Sequence, residues 1–309
     1  MIAKCIEGAI RALKNIKDWE IILVDSYSTD KTIEIAKQFP IKILRLKKEW
    51  FKSPHAGRYI GTINSSGKYV FFLDADMIVK EGWIEAALDI LDKYENLAGV
   101  TGVMYNIWPK EGLNENHRMK GSTGYVDFLP GPSVYKKSIL IEAKHFNPHL
   151  KGNGEREIGF RISKLGYRQL RIDKTICYHC KKDYNLDEAI EKAGYFVGVG
   201  QFLRLHFNKR NLIETLVRYK MVFIHFAILI ALFLLFSVAL LMGSLNIFLK
   251  PLIVLLSLLL LFLIIFKKSP RRTIISLNGL TVASLNFIYG FFKAKKEIKD
   301  YPIDAEVVK

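Results

Sequence analysis

Residues 69–77 read YVFFLDADM, and the reading of this stretch decides the fold. Tyr69 to Leu73 is an unbroken apolar run rich in aromatic residues, the composition of a strand buried on both faces. It stops abruptly at Asp74-Ala75-Asp76. Just upstream, Gly67 supplies a turn, and residues 55–65 carry helical spacing. Further out, Glu20 to Val24 (EIILV) is a second buried strand, ending in the polar loop Asp25-Ser26-Tyr27-Ser28-Thr29-Asp30. That loop offers N-caps for a helix over Thr32 to Gln38, and Ile41 to Leu46 is the next strand. Downstream, a helix over 82–94 precedes a strand over 98–105; at the start of the chain, Ile6, Ile10, Leu13 and Ile16 place a helix over 3–16. Strands alternating with helices predict an α/β domain built on a doubly wound, mostly parallel sheet. Such sheets bind ligands beyond the carboxyl ends of their strands, where both acidic clusters fall.

Asp74 and Asp76 stand two apart after a buried strand, and a turn there lets both carboxylates approach one divalent cation. Hard cations such as Mg²⁺ or Mn²⁺ take oxygen ligands and bridge to phosphates. The plainer reading is a strand end with solvated carboxylates.

Three ordered blocks extend the pattern. VDSYSTDKTIEIAK (24–37), AGRYIGTINSSGKYVFFLDADM (56–77) and GEREIGFRISKLGYR (154–168) together resemble inverting family-two glycosyltransferases of the GT-A fold, over about residues 1–210. The resemblance implies that Asp25 contacts a nucleotide base, with Ser26 and Asp30 shaping its loop. It places Arg58 near the nucleotide, and Asp74 and Asp76 on the metal that grips the sugar-nucleotide diphosphate. Glu155 aligns with the carboxylate that deprotonates the acceptor hydroxyl, and Glu157 is the second acidic candidate. His179, after the strand-like run RQLRIDKTICYH, stands where relatives carry a histidine able to reach metal or phosphate. The implied cofactor is Mg²⁺ or Mn²⁺, and the implied donor is UDP- or GDP-linked. Other readings stay open. Asp25 can cap its own turn, Glu155 can be a loop carboxylate, Glu157 can pair with Arg161 four residues on, and His179 can be structural. Gly131-Pro132-Ser133 either cradles an anion through backbone N–H groups or is only a turn.

The chain departs from the family pattern at Tyr27, where Gly is usual, at Tyr59, where Asn is usual, and at Glu155, where Asp is usual. It opens at Met1 inside the helix that follows the family's first strand and its P-x-x-N-E-like loop. The resemblance therefore implies a domain truncated on its N-terminal side, with a sheet short of one central strand. The Q-x-x-R-W segment of processive polysaccharide synthases is missing, which favours transfer of a single sugar.

The rest of the chain points to a membrane. Lys and Arg number 46 against 30 Asp and Glu, a formal charge of +16, and such a surplus attracts anions. No helix-turn-helix, zinc-finger or ribonucleoprotein signature accompanies it, so nucleic acid is not the expected partner. The basic residues crowd beside two apolar runs without Lys, Arg, Asp or Glu in their bulk, 222–242 and 247–266, joined by Gly243-Ser244-Leu245-Asn246. Each is about the length that spans a bilayer as helix, and the positive-inside rule sets both outer ends in the cytoplasm. The expected organisation is a catalytic domain over 1–194, an amphipathic interfacial linker over 195–220, a transmembrane hairpin over 221–266, and a basic tail over 267–309. Residues 273–292 of that tail read as an interfacial helix or a third span. The expected location is the cell membrane, multi-pass, with the catalytic domain cytoplasmic. A lipid-phosphate or cell-envelope glycan acceptor would suit a basic surface beside membrane lipids.

Cys5, Cys177 and Cys180 do not form a disulfide framework, and Cys177-Tyr178-His179-Cys180 has no second cluster to complete a structural zinc site. No apolar signal segment opens the chain. A transporter is disfavoured, because the apolar runs carry no titratable group beyond His225 and Lys250, each near an end. The competing expectation is a catalytically inactive, membrane-bound relative that acts as a binding or scaffold protein.

Overall fold

A computed structural model of the chain describes residues 1–108, 118–119, 121, 123–181, 186–262 and 270–309. The chain divides into two compact units, one formed by Met1–Asp183 together with Lys296–Lys309, the other by Tyr184–Lys295.

The first unit contains α1 (Ile2–Ala12), β1 (Ile22–Asp25), α2 (Thr32–Ala36), β2 (Lys42–Arg45), α3 (Pro54–Ile63), β3 (Tyr69–Phe72), β4 (Met77–Val79) and α4 (Trp83–Lys93). It continues with β5 (Leu97–Ile107), β6 (Gly124–Tyr125), β7 (Ser133–Lys136), α5 (Lys137–Glu142), α6 (Gly154–Lys164), β8 (Arg168–Cys180) and, from the end of the chain, β9 (Glu306–Val307). The strands and helices expected from apolar periodicity are present, but the sheet is not mostly parallel. The strands form two mixed sheets, β1-β2-β9 and β3-β7-β5-β8-β4, with β6 paired to β8. Among the described residues only β1/β2 and β5/β8 run parallel; β2/β9, β3/β7, β4/β8, β5/β7 and β6/β8 are antiparallel. The short return strands β4 and β7 make the difference, being too brief to show a period of their own.

Among the described residues, β1 pairs only with β2 and β3 only with β7. A cleft of about 810 Å³ runs between them, lined by Ile22, Val24, Val70 and Phe72 from the strands and by Ile2 and Ile6 from α1. The same cleft reaches Ser26, Arg58 and Asp74 beyond the strand ends.

Two apolar clusters hold the six-stranded sheet. Trp83, Ala87 and Leu91 of α4 pack on Val100, Met104 and Val134. On α6, Ile158 and Ile162 pack with Phe72, Tyr135 and Phe146, and burying each such side chain contributes roughly 1.5–3 kcal/mol. This second cluster fixes α6, which carries Glu155, against the end of β3, which leads to Asp74.

The end of the chain was expected to continue as a basic tail. Instead, Tyr301 is buried among Trp50, Tyr59 and His149, with ring centroids 5.7, 6.0 and 5.5 Å away, and its hydroxyl donates to the Phe51 carbonyl at 2.6 Å. Beyond it, β9 pairs with β2 and covers an edge that would otherwise present open backbone groups. Tyr59 thus serves an aromatic cluster, which accounts for a ring where the family pattern has Asn.

The second unit consists of α7 (Leu186–Leu205), α8 (Lys209–Arg218), α9 (Lys220–Leu241), α10 (Asn246–Phe262) and α11 (Pro270–Phe292). The linker expected over 195–220 is not one surface helix. Its first half belongs to α7, where Val199, Phe202 and Leu203 are buried. α7 crosses α11 so closely that a β-carbon on Gly200 would lie 2.1 Å from the Phe287 carbonyl oxygen, and one on Gly290 2.0 Å from that of Val197. The polar residues interspersed in 273–292 have partners here: Asn286 donates to the Ala193 carbonyl at 3.1 Å, and Ser284 to that of Val222 at 3.3 Å. By length and composition, Lys220–Leu241 and Ile274–Phe292 are apolar enough to cross a membrane, with mean hydropathy 2.8 and 1.4. The second expected span, 247–266, is represented by a shorter apolar stretch, Asn246–Leu255; residues 263–266 lie outside the described residues.

Candidate functional site

β3 ends at Phe72, and the chain turns at once, the Met77 amide donating to the Asp74 carbonyl at 3.0 Å. The turn splays Asp74 and Asp76 apart. Asp74 accepts from Arg58 Nη2 at 3.1 Å. Asp76 lies 3.0 Å from His179 Nε2, because β4 pairs antiparallel with β8 and sets Met77 opposite His179. Lys181 Nζ approaches the same imidazole nitrogen at 3.3 Å. The two carboxylates are about half exposed, at 43% for Asp74 and 51% for Asp76. Half-burial works against ionisation of Asp76, but the hydrogen bond and charge of the His179 ring outweigh it and hold the carboxyl below its usual range.

Arg58 joins this corner to the third sequence block. It projects from α3, is almost fully buried, and pairs through Nη1 with Glu155 while Nη2 holds Asp74. A residue from 56–77 and one from 154–168 therefore meet at one guanidinium. Burial alone would raise the Glu155 carboxyl, but the Arg58 charge overrides it and holds the group at about 2. Gly131 closes the floor: a β-carbon there would sit 2.8 Å from Asp74 Oδ2 and 3.1 Å from Arg58 Nη2. Ser133 turns back to the Pro130 carbonyl at 3.0 Å, so this segment is a turn that backs the Asp74–Arg58 pair.

The other predicted residues sort by their partners. Asp25 is buried, and its carboxylate accepts from the Tyr27 and Ser28 amides at 3.1 Å and faces Arg45 Nε at 3.1 Å. It shapes its own loop, leaving little of the carboxylate for a nucleotide base. Tyr27 takes φ 72, which explains why Gly is usual there, and the Arg45 guanidinium lies 4.3 Å from its ring centroid. Asp30 receives the Thr32 amide at 3.0 Å at the start of α2. Glu157 is buried and clasped by Arg161, at 2.8 and 2.6 Å. This is the i,i+4 pairing with Arg161 left open by the sequence, and it engages both carboxylate oxygens.

One contributor had no signal in the sequence. His55, buried on α3, accepts the Gly154 amide on Nε2 at 3.1 Å, and its ring lies parallel to Phe146 at 6.1 Å. Burial keeps its imidazole neutral down to about 4. A lone histidine carries no period or motif, and its partner lies 99 residues away.

For a divalent cation, Asp76 and His179 bring an oxygen and a nitrogen donor together, while Asp74, two residues earlier, pairs with Arg58. Among the described residues no three His, Cys, Asp or Glu side chains are already gathered as a metal cluster. The donor set fits a cation completed by oxygens of a bound diphosphate, the way Mg²⁺ and Mn²⁺ commonly sit on phosphates.

A mixed α/β sheet interrupted by an apolar cleft, with an acidic triplet at a strand end and a buried Arg–Glu pair beside it, is the arrangement of a GT-A-like glycosyltransferase domain. The chain belongs to glycosyl transferase family 2, whose model matches residues 1–164. It is 29% identical over 208 residues to the minor teichoic acid biosynthesis protein GgaB of Bacillus subtilis (strain 168), covering 62% of this chain and 23% of that protein. It is 30% identical over 178 residues to glycosyltransferase GlyA of Streptococcus pneumoniae serotype 4, covering 53% of this chain and 24% of the other. The chain thus spans about a quarter of the length of these relatives. The mannosyltransferase PcManGT from Pyrobaculum calidifontis, solved with GDP-Man and Mn2+, shares the fold, with a TM-score of 0.60 at 16% identity over 93% of this chain and 83% of that one.

Proposed function

We propose that the chain transfers a single sugar, with inversion, from a UDP- or GDP-linked donor to a lipid-linked or cell-envelope acceptor at the cytoplasmic face of a membrane. The observation that carries this reading is the Arg58 bridge between Asp74 and Glu155, which joins the diphosphate end of the site to the base. Asp76 and His179 would hold a divalent cation. When bound, it would offset the charge that builds on the departing diphosphate.

This chain's own residues supply the rest. The acceptor hydroxyl oxygen attacks the anomeric carbon, and the bond from that carbon to the diphosphate oxygen breaks. The hydroxyl proton passes to the Glu155 carboxylate, which its pairing with Arg58 keeps ionised and ready to accept. Because that pairing also makes Glu155 a weak base, a diphosphate that draws Arg58 toward itself strengthens the base as it binds. One attack and one base give inversion.

Membrane placement is supported by the two apolar helices Lys220–Leu241 and Ile274–Phe292 and by the basic residues that flank them. A cell-envelope acceptor is supported by the teichoic acid relative. The test is release of UDP or GDP from UDP-glucose, UDP-N-acetylglucosamine and GDP-mannose by the full chain in nanodiscs with Mn²⁺. Turnover of none of them, under conditions where the donors bind, contradicts the reading.

A further inference from the structure

We infer that His55 is a positioning residue for Glu155: by accepting the Gly154 amide, it fixes the first turn of α6 and so aims the carboxylate. This deepens the reading above and rests on Glu155 being the base.

The first amides of a helix have no partner inside it. α6 starts after Asn153, at φ 59 ψ 17, with no side-chain cap bond. The acceptor arrives instead from α3, as His55 Nε2 at 3.1 Å from the Gly154 nitrogen. A backbone N–H can only donate, so in this bond Nε2 is the acceptor. The ring is buried. It lies parallel to Phe146, 3° from coplanar orientation. Two residues earlier, Ser53 caps α3 by accepting the Ala56 amide at 3.1 Å and donates its own hydroxyl proton to the Pro148 carbonyl at 3.2 Å. α3 is therefore stapled to the segment 146–154 at Ser53 and at His55.

The fit is tight from the other side as well. A β-carbon on Gly154 would lie 2.5 Å from the His55 ring, so only glycine lets the helix start come this close. Glu155 follows immediately, with Oε2 3.9 Å from His55 Nε2 and its other oxygen on Arg58. His55 Nδ1 in turn lies 3.4 Å from Arg58 Nη1. One imidazole thus borders both halves of the Arg58–Glu155 pair while holding the backbone that presents Glu155. A displacement of about 1 Å in a reacting group can lower rate 100-fold.

The test compares His55→Gln, whose amide oxygen can take the place of Nε2, with His55→Asn, whose oxygen is too short to reach, and with His55→Phe, which keeps the stack and loses the acceptor. Hydrogen exchange of the peptide 151–158 in the full chain needs no donor. His55→Asn and His55→Phe are expected to raise exchange at the Gly154 amide at least tenfold, and His55→Gln to stay within threefold of wild type. With UDP-glucose, UDP-N-acetylglucosamine and GDP-mannose plus Mn²⁺, the first two variants are expected to lose ten- to 100-fold in kcat with donor KM within twofold, and His55→Gln to recover most of it. Equal exchange in the Asn and Gln variants overturns the inference, as does a change confined to KM. If wild type turns over none of these donors, the proposed activity fails, while the exchange comparison still decides the positioning role.

Discussion

Replacing Arg58 with Met keeps most of the buried stem and removes the charge that holds Glu155. The magnitude follows from the site. Glu155 is only 19% exposed and is held at about 2, roughly 2 units below the ordinary carboxylate value of about 4.3, and each unit is worth about 1.4 kcal/mol. Loss of Arg58 therefore costs about 3 kcal/mol at neutral pH, within the roughly 3–5 kcal/mol seen when one partner of a buried ion pair is removed. For a domain of this size that is a fall of about 6–12 °C in Tm. Arg58→Met combined with Glu155→Gln leaves neither charge stranded beside the other, so the double variant should be more stable than Arg58→Met alone. The coupling energy expected from the cycle is about 2 kcal/mol or more. Tryptophan fluorescence suits the assay, because all four tryptophans, Trp19, Trp50, Trp83 and Trp108, belong to the first unit. Additive losses, with coupling below about 0.5 kcal/mol, would show that the pair does not hold Glu155 in the way described.

Further outcomes follow from neighbouring groups. His55 binds its proton at about 4 in the fold against an ordinary 6.5, so between these values the unfolded chain takes up protons that the fold does not. Stability is then full above pH 6.5 and falls by up to about 3 kcal/mol as pH drops toward 4; acid titration of Tm should show this loss, and His55→Gln should diminish it. Asp76→Asn should weaken Mn²⁺ affinity in the presence of nucleoside diphosphate by tenfold or more, measured by calorimetry, with Tm within a few degrees. Glu157→Gln should lower stability by breaking the buried pair with Arg161 while leaving kcat within a few-fold. Tyr301→Ala should cost about 3 kcal/mol or more through the lost aromatic packing on Trp50, Tyr59 and His149, read as a lower fluorescence Tm.

Local pattern made much of the first unit legible. The apolar runs at 20–24, 41–46 and 69–73 gave strands because each is short, apolar and closed by polar residues. The sheets' direction was not legible, since it depends on β4, β7 and β9, which are two to four residues long and find partners far away in sequence. The tail offers the clearest case: nothing near Tyr301 marks its burial, because the cluster that receives it is assembled from residues 50, 59 and 149. At the site, residue identities were readable and their partnerships were not. The D-x-D triplet suggested two carboxylates on one cation, yet the turn at Asp74–Met77 sends one to Arg58 and the other to His179. Arg58 and Glu155 were each expected near the donor, but their direct pairing spans 97 residues and exists only because the first residues of α6 meet α3 at His55 and Arg58.

The most direct measurement compares the wild-type full chain with Glu155→Gln in nanodiscs, following both Mn²⁺-dependent binding and consumption of UDP-glucose, UDP-N-acetylglucosamine and GDP-mannose. The expected result is a donor bound about equally by both forms and turned over only by wild type, with kcat reduced at least 100-fold in the variant. Turnover by Glu155→Gln at the wild-type rate would contradict the role given to that carboxylate and, with it, the catalytic site built around Arg58.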